Sequence, residues 1–292
     1  MLKGSQVALS TPFKDGKVDE EAFHRLIDWN IDGGSAGLLV LGSTGEAATL
    51  TLAEHHRLTE IAVEFTAGRV PLVVGAGAAS TEQTVAHVRH AADAGADAVL
   101  VVAPYYTKPN QRGLIEHFTA VSQASPCPVI VYNNPGRCIV DIAVDTVARL
   151  AELPNIIGLK ESNPDVRRFI QLRERLPKGE FLLVSGDEPT GLAFMAYGAD
   201  CIYSVAGNIL PGAMAQLHTY WDEGDAHAAT KAHLDLMPLV HALYCDSNPV
   251  PLKYALSLMG LGSAEVRLPL VGLTEDKREM VRTALREAGA LA

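Results

Sequence analysis

The sequence predicts an α/β chain folded as a (β/α)8 TIM barrel with additional C-terminal helices, on three observations. Short β-rich apolar runs alternate with amphipathic helical stretches around the whole circuit. Glycine punctuates the joints between helix and strand, and the 292-residue length exceeds the roughly 250 residues typical of such a barrel by a helical tail. An open doubly wound sheet fits less well. No Gly-x-Gly-x-x-Gly follows the first strand, and Gly75-Ala76-Gly77 is too sparse for a dinucleotide loop.

Taken in order, the runs that read as strands are residues 6–10, 37–41, 71–75, 98–102, 129–132, 156–160, 181–185 and 201–204. Helical patterns fill the intervals at 20–32, 52–66, 81–94, 113–123, 145–152, 166–174, 189–197 and 211–223. Asp93-Ala94-Gly95-Ala96 and Tyr197-Gly198-Ala199 place glycine where a helix stops and a strand is about to start. Further helices are expected at 233–244, 251–259 and 276–288. The domain reading is therefore a catalytic barrel over 1–224 and a helical extension over 225–292.

Composition narrows the function classes. Hydrophobic residues make up 48% of the chain, enough for a large core. No segment approaches the roughly 20 apolar residues that span a bilayer, and Met1-Leu2-Lys3-Gly4 leads into a strand-like run without a signal-peptide core, so a cytoplasmic location is expected. Cys127, Cys138, Cys201 and Cys245 are scattered without a C-x-x-C pair, which reads as free thiols rather than disulfides or a zinc site. The net charge of −10 argues against nucleic acid as a partner, because phosphate binding needs a basic face. A small polar substrate fits better, with neither metal nor organic cofactor.

If the chain is a barrel, the chemistry lies at the C-terminal ends of its strands. The second strand ends in Gly42-Ser43-Thr44-Gly45-Glu46, two hydroxyls in a glycine-bracketed turn that suits a carboxylate and equally suits capping of the next helix. The fourth ends in Pro104-Tyr105-Tyr106, phenols that fit either a site or an interface. The fifth ends in Tyr132-Asn133-Asn134-Pro135-Gly136-Arg137, a phenol near a guanidinium shaped for bidentate carboxylate binding. The sixth, Ile156-Ile157-Gly158-Leu159-Lys160, is a buried-type run that terminates in a lysine, which is either solvated at the surface or reactive. A lysine amine attacks a carbonyl in its neutral form, which a desolvated barrel mouth favours, and the resulting iminium is an electron sink. With a phenol to move protons and an arginine to hold a carboxylate, the inventory suits aldol chemistry on a 2-oxo acid.

These motifs resemble the pyruvate-dependent class I aldolase/lyase family over nearly the whole chain, from Thr11-Pro12-Phe13 to Arg267-Leu268-Pro269-Leu270. The Gly42–Glu46 turn, Pro104-Tyr105-Tyr106, Tyr132-Asn133, Ile157-Gly158-Leu159-Lys160-Glu161, Ser185-Gly186-Asp187 and Asn248-Pro249-Val250-Pro251-Leu252-Lys253 fall in family order. The resemblance implies that Lys160 forms an imine with pyruvate and that Tyr132 transfers protons above it. It also implies that Ser43 links this phenol to Tyr106 reaching in from a neighbouring subunit. Thr44 then holds the pyruvate carboxylate, Arg137 the carboxylate of the second substrate, and Tyr203 presents a backbone carbonyl. Retained Gly136-Arg137 points to the branch that condenses pyruvate with L-aspartate 4-semialdehyde for diaminopimelate and lysine biosynthesis, as a homo-oligomer, most often a homotetramer.

Several positions depart from that pattern. Ser43 replaces a common threonine and loses the methyl that fixes its rotamer. Asn134 stands where an aliphatic residue is usual, and Asn133-Asn134-Pro135 resembles relatives acting on sugar-derived acids; Ser162-Asn163-Pro164 replaces the more common small-residue turn after the lysine, and Cys138 replaces a threonine. Sialate lyase and 2-keto-3-deoxy sugar-acid aldolase activities are the alternatives within the family, and a non-catalytic 2-oxo-acid-binding barrel is the alternative outside it. Leu52, Ala79 and Gln83 replace the histidine, asparagine and glutamate common in lysine-inhibited relatives, while His55 and Tyr105 are retained, so weak or absent lysine inhibition is expected.

Overall fold

The computed structural model describes residues 3–291 apart from Lys178 and Glu180; the ends of the expected barrel and tail at Met1, Leu2 and Ala292 lie outside the described residues. Eight parallel strands close into one barrel in sequence order. They are β1 (Gln6–Ala8), β2 (Gly37–Val40), β3 (Leu72–Gly75), β4 (Ala98–Val102), β5 (Val129–Asn133), β6 (Ile156–Glu161), β7 (Leu182–Ser185) and β8 (Cys201–Ser204). β2 and β3 are buried along their whole length, as expected of strands covered on both faces.

The helices are α1 (Glu20–Asp32), α2 (Leu52–Thr66), α3 (Thr81–Ala94), α4 (Gln111–Ala124), α5 (Pro135–Cys138), α6 (Val144–Leu150), α7 (Val166–Arg175), α8 (Glu188–Ala196), α9 (Pro211–Asp222), α10 (Ala226–Leu243), α11 (Val250–Leu258) and α12 (Glu275–Glu287). Most of their starts follow from side chains that satisfy orphan N–H groups. Thr51 and Glu54 form a capping box at α2, and Ser80, Asn110 and Asp187 cap α3, α4 and α8. Gly95 ends α3 in the left-handed region at φ +100, where the sequence placed the stop.

Contacts divide the described residues into two compact units, 72–203 and 3–71 with 204–291. In the first unit the strand register sets which side chains share a face. Tyr132 lies opposite Lys160, and Lys160 opposite Val184, while Asn133, Glu161 and Ser185 form the alternate row. In that row Glu161 is fully buried and accepts from Asn133 Nδ2 at 2.8 and 3.1 Å and from Arg168 Nε of α7 at 2.9 Å. Burial pushes the Glu161 carboxyl up, and Arg168 opposes it.

In the second unit α11 and the segment after it are tied to the turn that follows β2. Lys253 donates to Glu46 at 2.5 Å with both side chains 1% exposed, and its Nζ lies 3.9 Å from the Phe13 ring centroid. The Arg267 guanidinium also lies over the Phe13 ring, 4.3 Å from its centroid, and grips Glu54 with two bonds of 2.8 and 2.6 Å. Those hydrogen bonds hold the Glu54 carboxyl down at about 2.

Several element ends differ from expectation by a residue or two, and three larger differences have a local cause. β1 stops at Ala8 because Ser10 N–H turns to Asn208 Oδ1 at 3.3 Å. α10 starts at Ala226, earlier than the apolar pattern suggested, because the Asp225 side chain caps it by accepting from Ala228 N–H. Pro135–Cys138 forms a turn of helix that read as loop, capped by the Asn134 side chain.

Candidate active site

Lys160 is the penultimate residue of β6 and is 6% exposed. Its Nζ lies 4.4 Å from the Tyr132 ring centroid and 5.1 Å from that of Tyr203. Strand alternation explains the trio. Tyr132 is level with Lys160, Cys201 is level with Val184 on the same row, and Tyr203 lies two residues on from Cys201. The Lys160 nitrogen therefore sits between two aromatic faces, where bulk water is displaced.

Tyr132 is 6% exposed. Its phenol oxygen accepts from Asn134 Nδ2 at 2.8 Å and lies 3.3 Å from Ser162 Oγ, which itself is 2.9 Å from the Gly186 carbonyl. Burial opposes ionisation of this phenol, but the Lys160 charge, the Ser162 and Asn134 hydrogen bonds and the Arg137 charge together outweigh it and hold the group below the usual tyrosine range. Tyr203 behaves in the opposite way, since burial, reinforced by Cys201, keeps its phenol well above that range and neutral. One phenol is therefore suited to give and take protons and the other to serve as a wall.

Gly186 follows β7, and a Cβ there would lie 2.2 Å from Ser162 Oγ and 2.9 Å from Lys160 Cε. Only a residue without a side chain lets this backbone close over the lysine stem. Arg137 sits in the last turn of α5, exposed.

In the second unit, the turn after β2 places Ser43 half-buried and Thr44 buried, with Thr44 Oγ1 accepting from Asn248 Nδ2 at 2.9 Å. Gly45 is required there, because its Cβ would lie 2.9 Å from Leu41 N. Tyr106 is 94% exposed and holds φ +68, a left-handed conformation that costs a non-glycine residue of order 1 kcal/mol.

Of the residues singled out in the sequence, the first unit brings Lys160, Tyr132 and Tyr203 together and leaves Tyr106 exposed. Tyr203 contributes its ring to the lysine's surroundings. Asn134, Ser162 and Gly186 were not assigned roles, although Asn134 and Ser162 stood out as departures from the family pattern. A buried amine between two rings, beside a phenol of lowered proton affinity, can attack a carbonyl and exchange protons with the adduct.

Comparison with known proteins agrees with this architecture. The Dihydrodipicolinate synthetase family matches residues 1–288. A 4-hydroxy-tetrahydrodipicolinate synthase of Gluconacetobacter diazotrophicus is 46% identical, with 100% of this chain and 98% of that protein covered. The chloride-inhibited dihydrodipicolinate synthase of Acinetobacter baumannii, solved in complex with pyruvate, superposes with a TM-score of 0.97 at 41% identity over 100% of both chains. The dihydrodipicolinate synthase of Aquifex aeolicus gives a TM-score of 0.97 at 41% identity, covering 99% of each chain.

Proposed function

The chain belongs to the dihydrodipicolinate synthetase family, and we propose that it condenses pyruvate with L-aspartate 4-semialdehyde to 4-hydroxy-tetrahydrodipicolinate, a lyase reaction of diaminopimelate and lysine biosynthesis. The observation that carries this reading is the buried Lys160 nitrogen 4.4 Å from the Tyr132 ring, with that phenol held below the usual tyrosine range.

The neutral Lys160 amine attacks C2 of pyruvate, the carbinolamine loses its hydroxyl as water on taking a proton from Tyr132, and a protonated imine remains. The phenolate then removes a proton from C3, the enamine C3 attacks the aldehyde carbon of the semialdehyde, and the alkoxide formed there takes that proton back from Tyr132 to become the hydroxyl. The amine of the second substrate attacks C2 of the imine, displaces Lys160 and closes the ring, so one water is released overall.

Thr44 is assigned to the pyruvate carboxylate and Arg137 to the carboxylate of the semialdehyde, the guanidinium offering paired donors. Ser43 and Tyr106 extend the proton path from Tyr132, Tyr106 being supplied by a neighbouring subunit of a homotetramer built as a dimer of dimers. Its 94% exposure and left-handed backbone support that assignment. Residues 1–224 act as the catalytic barrel and 225–292 as the extension whose Asn248 holds Thr44. No helix among the described residues is long and apolar enough to cross a membrane; a cytoplasmic location is part of the proposed reading. Borohydride reduction in the presence of pyruvate tests the reading. A reduced adduct on the Lys160 peptide by mass spectrometry is expected, and its absence overturns the mechanism.

A further inference from the structure

The Tyr132 phenol is held by two side chains of its own chain, and the hydrogen-bond donors around it can be assigned without ambiguity. Arg137 N–H donates to Asn134 Oδ1 at 3.2 Å, capping α5, so the amide nitrogen of Asn134 must be the atom that faces Tyr132 at 2.8 Å. Ser162 has a single hydroxyl proton and two partners. The Gly186 carbonyl can only accept, at 2.9 Å, and the Tyr132 oxygen accepts from the same hydroxyl at 3.3 Å, so the single Ser162 proton is shared between the two.

We propose that Asn134 and Ser162 are positioning residues for Tyr132: both donate to its oxygen, which leaves its own proton free for the substrate, and both stabilise that oxygen after the proton has gone. This rests on the reading of Lys160 and Tyr132 given above. When the phenol gives its proton to the departing carbinolamine hydroxyl, the Ser162 hydroxyl swings from the Gly186 carbonyl to the phenolate, while Asn134 goes on donating. When the phenolate takes a proton from C3, Ser162 swings back. Ser162 keeps its own proton throughout, so the proton count of the cycle is unchanged. The proton-transferring group thus has a stabilising path confined to one chain, alongside the Ser43 and Tyr106 path that needs a second subunit. Gly186 is part of the same device, since a Cβ at that position would occupy the space of the Ser162 hydroxyl.

Two near-isosteric variants separate this role from packing. Asn134→Asp keeps the cap on α5 through its remaining oxygen but turns the donor facing Tyr132 into a charged acceptor, and Ser162→Ala removes the swinging hydroxyl. The charges facing the phenol, Lys160 from β6 and Arg137 from α5, are left in place in both. The Tyr132 titration is read from near-ultraviolet absorbance by subtracting the same protein carrying Tyr132→Phe. Ser162→Ala is expected to raise the midpoint by roughly half a unit to one unit and to lower kcat about two- to tenfold, with a larger rise for Asn134→Asp. An unchanged midpoint in both variants overturns the proposal. The titration needs no substrate, so it judges this inference separately, whereas failure of the unsubstituted protein to trap pyruvate counts against the imine reading alone.

Discussion

Replacing Gly186 with alanine adds one methyl group at the closest approach of backbone to the lysine. The new Cβ would lie 2.2 Å from Ser162 Oγ, 2.9 Å from Lys160 Cε and 3.2 Å from Lys160 Cγ. Ordinary contact begins near 3.4 Å, so the serine must yield by about 1 Å and the lysine stem by about half that. Ser162 has one escape, rotation away from the Gly186 carbonyl, which abandons both of its hydrogen bonds. Overpacking of this kind costs about 1–3 kcal/mol, or a Tm fall of roughly 2–6 °C for a chain of this size. The same displacement moves the reacting nitrogen, and an error approaching 1 Å costs about a hundredfold in rate. Stopped-time borohydride trapping of pyruvate should therefore slow far more than the loss of stability alone explains. A double-mutant cycle adds a second check. Ser162→Ala removes the atom at 2.2 Å, so the pair should be more stable than the two single effects added together, with a coupling of about 1 kcal/mol. Near-normal trapping in Gly186→Ala, or strict additivity in the cycle, refutes the argument.

Arg137→Ala should raise the KM for L-aspartate 4-semialdehyde by tenfold or more, on the order of 1.5–3 kcal/mol for a charged hydrogen bond, while pyruvate trapping at Lys160 survives. Lys253→Met leaves the buried Glu46 carboxylate without its partner and should lower the denaturant midpoint by the equivalent of about 3–5 kcal/mol, with Glu46→Gln in the same chain recovering part of the loss. Burial lowers both His117 and His218 to about 4 in the folded chain, beneath their unfolded value near 6.5. Stability is then complete above about pH 6.5 and falls as pH drops towards 4, by on the order of 3 kcal/mol per histidine, and His117→Gln with His218→Gln should flatten that slope in pH-dependent melting. Lysine should inhibit weakly, roughly ten- to a hundredfold less tightly than where a glutamate meets its ammonium, and Gln83→Glu with Ala79→Asn should tighten it in the coupled assay.

Much of the barrel was legible because its signals are local. The apolar runs at Ala98–Val102 and Cys201–Ser204 and the helices Glu20–Asp32, Leu52–Thr66 and Thr81–Ala94 have the bounds that periodicity and capping residues assign. Where the reading slipped, a side chain from elsewhere or a short-range cap had the deciding bond, as Asn208 does at the end of β1 and Asp225 at the start of α10.

The site divides in the same way. Lys160 at the end of a buried strand, with Tyr132 at the end of the strand before it, follows from the order of residues alone, because parallel neighbours in a barrel bring their C-terminal ends to one rim. The surroundings of those two residues do not follow from that order. Where the Tyr203 ring lies depends on inter-strand register, which places it two residues beyond the Val184 and Cys201 pair. The Asn134, Tyr132, Ser162 and Gly186 chain joins three strand ends up to 54 residues apart in sequence, through bonds of 2.8 to 3.3 Å. A one-residue change of register would turn those side chains to the opposite face, so the meeting of Lys160 and Tyr132 is legible in the sequence, whereas the surroundings of Tyr132 are decided only when the strands are packed side by side.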